Sequence, residues 1–538
     1  MDIRVSVVVA VWNPGAPFEE LVASLLRQTL PAEQFEVWFC DDGSDEDTRA
    51  RLQEISAEHP HLKTILLPHS GWPGTPRNAG IDAARGTYVF FADHDDHFGD
   101  DALRTMVEHA DAWGSDVLVP RLTRVGRRPS MLMFAADVPD ARLGVDPLLD
   151  FLTPHKLFRT SLLREHGIRF PDGRVRLEDH LLVVRAYFAA RVVSILASYP
   201  CYYWTYRRRS ASDGRLDPET YYAHLGAVLD VVEASTEPGE LRDRLLAHWY
   251  AGKVLDRVGA GLMANYPDEY RHRLLDVLEP FVTERIPPSA DRWVPFPKRV
   301  RSALLRAGER DALLRLARLD AQVRVRAYAS EIGWSADGRL VVTATVDLRL
   351  ADGSAYGLVT KPDGSVRWDP PVALPPEVVT PELLDATGDV ADDVVVVLVR
   401  DVKDSTDSRV PDEDQERLPD APLRVRSSID TRTARLGRPV ARRSELGVDG
   451  YRAGWRFTDA LLVEEDVLAD AGPPRRVGRR LLTLGRGKQG QLTLTAVRVP
   501  EPTPTPAAPP TGWDRVVRGL RRRGRALAAH PPWSRPEG

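Results

Sequence analysis

The sequence predicts an α/β domain with a largely parallel sheet, then a helical linker domain, then a β-sandwich region. Three observations predict it. Up to about residue 215, short apolar runs alternate with stretches of helical spacing, the pattern of parallel strands joined by helical crossovers. From about 218 to 320, leucines and valines recur at helical spacing alone. From about 321 the period changes to two, as half-buried strands require. A chain of 538 residues and 60.0 kDa is too long for one hydrophobic core. The expected divisions are 1–217, 218–320, 321–499 and a tail, 500–538.

In the first division, strands are expected at Val5 to Val11, Glu36 to Cys40, Thr64 to Leu67 and Tyr88 to Ala92. Leu21, Leu25 and Leu26, then Leu52 and Ile55, have the spacing of crossover helices. Open α/β sheets bind ligands just past their carboxyl strand ends, so the polar residues there matter most. In the second division Leu241, Leu245 and Leu246 lead to Val254, Val258 and Leu262, and later to Leu304, Leu305, Leu313, Leu314 and Leu316. Pro287, Pro288, Pro295 and Pro297 divide this domain into two helical pieces.

In the third division Val342, Ala344, Val346, Leu348 and Leu350 alternate with polar residues, and Asp-Gly pairs at 352, 363 and 449 supply turns. One or two sandwiches are expected. The tail joins a proline-rich linker, EPTPTPAAPPTG, to an arginine-rich stretch, WDRVVRGLRRRGRALAAHPPW. That stretch reads either as a peripheral contact for anionic lipid or polymer, or as a solvated, frayed end.

Composition narrows the function. Hydrophobic residues at 43% and charged residues at 28% describe a globular chain and exclude a disordered one. A net charge of -5 argues against a dedicated nucleic-acid binder. No uncharged apolar run reaches about 18 residues, so no membrane span is expected. The start, MDIRVSVVVAVWNPG, has no small-residue cleavage site. Cys40 and Cys201 allow at most one disulfide, and no Cys/His cluster has zinc spacing. A cytoplasmic chain is expected.

Three motifs carry chemistry. In CDDGSDEDT, Asp41 and Asp42 follow a strand and could accept from the N–H groups and hydroxyls of a nucleoside, with Gly43 permitting the tight turn. The alternative is a plain strand-to-helix turn with an N-cap. In PGTPRNAGI, Arg77 can stack on a base or pair with a phosphate and Asn78 can hydrogen-bond. In TYVFFADHDD, Asp93, Asp95 and Asp96 end a very apolar strand, where they repel one another unless a cation neutralises them. Carboxylates suit Mg²⁺ or Mn²⁺, bound by one or two protein acids plus substrate phosphates. His94, between the acids, could be a ligand, but the alternating direction of side chains there favours a place at the surface or behind the ligands.

In this order and spacing the motifs resemble the nucleotide-sugar-binding half of inverting family 2 glycosyltransferases, over roughly residues 3–215. The family's strand ending in Asn or Tyr matches residues 5–13, its DDGS matches residues 41–44, its RN-x-G matches Arg77, Asn78 and Gly80, and its D-x-D-D matches residues 93–96. The resemblance implies a GT-A fold and a UDP-sugar donor contacted by Ala10, Asn13, Asp41, Asp42, Arg77, Asn78 and Asp93. It also implies Mn²⁺ or Mg²⁺ held by Asp95 and Asp93.

The family's ED pair matches Glu178 and Asp179 in RVRLEDHLLVV, which implies Asp179 as general base and Glu178 as its support. The alternative is a pair of acids favoured at a helix N-terminus. HKLF resembles the family's KLF segment and implies that Lys156 shapes the donor or acceptor site. YYWTYRRRSASDG resembles its Arg-and-Ser loop, with diphosphate contacts from Arg207, Arg208, Ser210 and Ser212. Tyr203, Trp204 and Tyr206 are expected as packing residues or sugar platforms.

The order of domains resembles the wall-teichoic-acid poly(ribitol phosphate) β-N-acetylglucosaminyltransferases, and WVPFPKRVRSALLRAGERDALLRLAR is similar to the segment closing their linker. This implies UDP-N-acetylglucosamine as donor, an anionic cell-envelope polymer as acceptor, work at the inner face of the cell membrane, and a homo-oligomer, a trimer. A capsule or exopolysaccharide glycosyltransferase with another hexose donor stays open, as does a polymer-binding protein without turnover. A nucleotidyltransferase is disfavoured, because its glycine-rich signature is missing near the N-terminus.

Overall fold

Strand β1 (Val5–Val11) has Val5, Val7, Val8 and Val9 fully buried, so both its faces are covered. The computed structural model describes residues 2–125, 134, 136–205, 215–335, 340–387, 393–399, 414–417, 423–429, 442–452, 455–471, 474–477, 480–486 and 491–498. After β1 come α1 (Pro17–Leu26), β2 (Phe35–Asp41), α2 (Glu46–Glu58), β3 (Leu62–Leu66), α3 (Gly74–Ala83), β4 (Tyr88–Asp93), β5 (His97–Phe98), α4 (Ala102–Trp113), β6 (Val117–Val125), β7 (Leu157–Arg159), α5 (Thr160–Glu165), α6 (Glu178–Ala189) and β8 (Val193–Thr205). The sheet order is β3-β2-β1-β4-β7-β6-β8-β5.

The sheet is parallel from β3 to β4 but mixed beyond it. β7 runs antiparallel to both β4 and β6, and β5 antiparallel to β8. The third strand starts two residues earlier than expected, because Leu62 is buried and anchors it, whereas Leu66 is exposed. Helix α3 lies so close to β1 that a Cβ at Gly80 would meet Val8 Cγ1 at 2.2 Å. Cys40 and Cys201 are both buried free thiols.

The linker holds α7 (Pro218–Ser235), α8 (Glu240–Trp249), a π-helical turn (Tyr250–Leu255), α9 (Ala260–Met263), α10 (Asp268–Arg285), α11 (Lys298–Arg306) and α12 (Arg310–Asp320). The Asp217 side chain caps α7 by accepting from Thr220 N, with Pro218 at the first position. The prolines break the helices where expected, leaving a 3₁₀ turn at Pro288–Trp293.

Strands β9 (Arg324–Trp334) and β10 (Leu340–Arg349) open the C-terminal region, pairing antiparallel within a larger sheet. The next hairpin, β11 (Leu358–Thr360) with β12 (Val366–Trp368), packs back into the linker. Trp368 stacks on Tyr356 at 5.3 Å, meets Phe296 edge-on, and donates from Nε1 to the Tyr356 carbonyl. A separate core gathers Val342, Ala344, Val346, Val463, Leu482, Leu492 and Leu494. Among the described residues no helix is long and apolar enough to cross a membrane. The arginine-rich tail lies outside the described residues.

Candidate active site

The carboxyl ends of β1, β2 and β4 meet at one edge of the sheet, where Ala10 is paired with both Cys40 and Asp93. The Asp41 carboxylate is buried and accepts from Ser44 N at 3.1 Å and Arg49 Nε at 3.0 Å. Asp42 accepts from Ser70 N, Ser70 Oγ and Gly71 N at 2.8, 2.6 and 3.0 Å. Asn13, at φ 41°, donates its N–H to Ser44 Oγ and accepts from Asp45 N through Oδ1. A Cβ at Gly43, φ 75°, would sit 2.7 Å from the His69 backbone. These side chains therefore shape the turn. Trp12, half exposed and stacked on His69 at 5.3 Å, stands at its rim and was not singled out in the sequence.

Helix α3 brings Arg77 and Asn78 inward. Arg77 is nearly buried, donates to Asp93 Oδ1 at 2.8 Å, lies 3.6 Å from Glu178 Oε1, and covers the Phe170 ring. It bridges two of the acidic motifs. Asn78 commits its amide to Phe170, donating to the carbonyl at 2.9 Å and accepting from the N–H at 3.0 Å. Its role here is to hold the segment before α6 against α3.

Below Arg77 lies a group able to hold a cation: Asp93, Asp96 and His155, with one ligand atom from each inside 4.8 Å of the others. Burial pushes the Asp96 carboxyl up to about 9, and the charge of Asp93 adds to the shift. Its Oδ1 accepts from Thr205 N, while its Oδ2 is buried without a hydrogen-bond partner among the described residues. Burial also disfavours charge on Asp93, but His155, Arg77 and His94 outweigh it and hold that carboxyl below the usual range.

His155 Nδ1 donates to the Phe91 carbonyl at 3.1 Å, and burial lowers the ring's pKa below the usual imidazole range while the charge of Asp93 pulls it up. Its Nε2 faces Asp93 Oδ2 at 3.6 Å, a distance at which a cation could take the place of a ring proton between them. These residues fit a divalent ion. Asp95, expected as a ligand, stands on the same turn but is not in this group; Asp96 and His155 are. His94 sits behind, its Nδ1 donating to the Ala10 carbonyl. We expect Asp93→Ala to lower Mn²⁺ affinity by about tenfold or more in calorimetric titration with UDP present; unchanged affinity would remove Asp93 from the ion's ligands.

Across Arg77 is the acid pair. Glu178 and Asp179 open α6 after Leu177, a non-glycine residue at φ 62°. Burial raises the Glu178 carboxyl to about 7, reinforced by the charge of Asp179. Burial also raises Asp179, against the His180 N–H that its Oδ1 accepts and the charges of Arg77, Lys253 and Lys156. Lys156 is fully buried, donates to the Thr153 carbonyl at 2.5 Å, and is lowered to about 7 by burial, with Asp179 pulling the other way. A carboxylate poised above its ordinary range beside cations suits proton abstraction.

Tyr203 stacks on His97 at 4.7 Å, as a packing residue. Tyr206 and the expected diphosphate contacts Arg207, Arg208, Ser210 and Ser212 lie outside the described residues.

Residues 6–132 match the model of glycosyl transferase family 2. The chain carries a family 2 glycosyltransferase domain. Behind it, residues 218–317 match the glycosyl transferase TarS linker domain. A poly(ribitol-phosphate) β-glucosyltransferase of Bacillus spizizenii is 29% identical over 297 residues, 54% of this chain and 46% of the relative. The poly(ribitol-phosphate) β-N-acetylglucosaminyltransferase TarS of Staphylococcus aureus is 30% identical over 250 residues, 46% of this chain and 44% of TarS. The match thus spans about half the length of these curated relatives.

Among solved structures, S. aureus TarS 1–349 in complex with UDP has a TM-score of 0.52 at 26% identity, covering 63% of this chain and 96% of that one. Full TarS, at 19% identity and a TM-score of 0.54, covers 93% of this chain and shares its fold. The family 2 domain has the expected GT-A architecture, followed by a TarS-type linker and a β-rich region.

Proposed function

We propose that the chain is an inverting glycosyltransferase that moves a sugar from a UDP-sugar to a hydroxyl of an anionic cell-envelope polymer of the poly(ribitol phosphate) type. The observation that carries it is the bridge from Asp93 through Arg77 to Glu178, which sets a cation-holding group and a proton acceptor on the two sides of one guanidinium. A divalent cation, Mn²⁺ or Mg²⁺, held by Asp93 with Asp96 and His155, and with Asp95 at the same turn, would neutralise the charge of the diphosphate leaving group.

The chain's own residues do the rest. Asp179 takes the proton of the acceptor hydroxyl. The freed oxygen bonds to the anomeric carbon as the bond to the diphosphate breaks, so an α-linked donor gives a β-linked product. Glu178, paired with Arg77, braces the base. Ala10, Asn13, Asp41, Asp42 and Asn78 keep the walls of the nucleotide site in place, and Trp12 offers a base-stacking face.

The relatives support a poly(ribitol phosphate) acceptor and differ in their sugar. N-Acetylglucosamine is the donor sugar we favour, in line with TarS, and glucose is the second reading, in line with the B. spizizenii relative. A cytoplasmic enzyme at the inner membrane face and a homo-oligomer accompany this reading.

The test is nucleotide release from UDP-, GDP- and dTDP-sugars with Mn²⁺, Mg²⁺ or EDTA. Release from one UDP-sugar that EDTA abolishes is expected. Equal release with EDTA removes the cation, and release from GDP- or dTDP-sugars alone removes the UDP assignment.

A further inference from the structure

The turn that presents the acid pair is strained. Leu177 has a left-handed backbone, which L side chains rarely adopt, and it gives α6 no side-chain cap. Such a conformation persists only where its surroundings over-determine it. Arg77 holds Glu178 from within the first domain, and the linker supplies two further contacts. On one flank, Arg176 N donates to Nδ1 of His224, on α7, at 3.1 Å. On the other, Nε1 of Trp249, the last residue of α8, donates to Nδ1 of His180 at 3.1 Å. Asp179 lies between these two bonds and accepts the N–H of His180 itself.

We propose that His224 and Trp249 are positioning residues for the general base: the linker grips both flanks of the 176–180 turn and so sets the direction of the Asp179 carboxylate. This rests on the reading of Asp179 as base given above.

Three features carry the proposal. Both contacts end on Nδ1, so each histidine must be neutral and protonated at Nε2. Burial lowers both rings, His180 further under the charges of Lys253 and Lys156, which favours the neutral form that the two contacts require. Trp249 is itself fixed, 1% exposed and followed directly by the π-helical turn whose Lys253 acts electrostatically on Asp179. π-Helical turns inside α-helical segments are frequent at functional sites. The family 2 domain therefore does not orient its base alone, which gives the linker a task in the chemistry as well as in tethering the β region.

The test uses the full chain with His224→Leu, His224→Gln and Trp249→Phe, and with Asp179→Asn as reference. It reads kcat and KM with polymer acceptor, UDP affinity by calorimetry, and amide exchange over residues 172–182. His224→Leu and Trp249→Phe are expected to lower kcat by about tenfold or more, since a small misplacement of a reacting group is costly. UDP affinity should stay within about twofold, and exchange at 176–180 should quicken. His224→Gln, whose side-chain carbonyl can accept from Arg176 N, should recover most of the rate.

Wild-type kcat in folded His224→Leu overturns the proposal, as does a kcat loss matched by an equal loss of UDP affinity. If Trp249→Phe does not fold, the two His224 variants decide. Transfer by Asp179→Asn at the wild-type rate would instead overturn the base assignment, while the exchange data still report whether the linker grips the turn.

Discussion

Asp179→Asn should leave UDP affinity nearly unchanged and lower transfer by about two to four orders of magnitude, the usual contribution of a positioned general base. The substitution keeps the size of the side chain and its bond from His180 N, so the start of α6 is preserved. The acid pair also predicts the pH dependence. Asp179 must be ionised to act, yet burial raises it, and Glu178 beside it is raised to about 7. Transfer should therefore fall as pH drops through a limb above the ordinary carboxylate range, with apparent values belonging to the pair. A rate flat from pH 5 to 8, or wild-type transfer by the variant, would take Asp179 out of the mechanism.

Arg77→Met should cost stability and activity together. The guanidinium is nearly buried between Asp93 and Glu178, and methionine keeps the apolar stem over Phe170 while removing the charge. Removing one partner of a fully buried ion pair typically costs about 3 kcal/mol or more, and the loss here is smaller on the Asp93 side, whose side chain is 36% exposed. The sign with pH follows. Without Arg77 the folded-state pKa of Glu178 rises further above its unfolded value, so the ionised form opposes folding. This part of the deficit is largest above the further-raised pKa and is lost as pH falls below about 7. Urea unfolding at pH 5 and pH 8 checks this, and an equal deficit at both would leave Arg77 its pairing with Asp93 and its packing but no charge interaction with Glu178. Arg77→Lys should not restore the wild type, since a single ammonium does not reproduce a fork that spans two carboxylates.

Much of the site was legible because its parts are local. Asp93 at the end of an apolar strand, and Glu178 and Asp179 at a helix start, each show in a window of about ten residues. The pairing between windows was not legible. From its segment alone Arg77 reads as a residue that stacks on a base or pairs with a phosphate, and only the fold shows it joining Asp93 to Glu178. His155 was passed over because a parallel sheet gives it no reason to approach Asp93. In the fold, β7 runs antiparallel to β4 with Leu157 opposite Phe90, which carries the residues before β7 toward the end of β4. The HK pair ahead of the KLF segment was the available signal.

The contacts of Trp249 and His224 with the 176–180 turn depend on how two domains dock, which no periodicity encodes. The return of the hairpin after β10 to the linker was not legible for a similar reason. β9 and β10 follow the two-residue period, but the next hairpin returns to the linker through the stacking of Trp368 on Tyr356.

The most direct measurement is the configuration of the sugar left on the polymer. The enzyme, Mn²⁺ and UDP-N-acetylglucosamine or UDP-glucose are incubated with poly(ribitol phosphate), and the anomeric signals of the isolated polymer are read by NMR. The expected product is a β-linked sugar on ribitol, absent with EDTA and lost in Asp179→Asn. An α-linked sugar, or donor turned over with no sugar on the polymer, would contradict it.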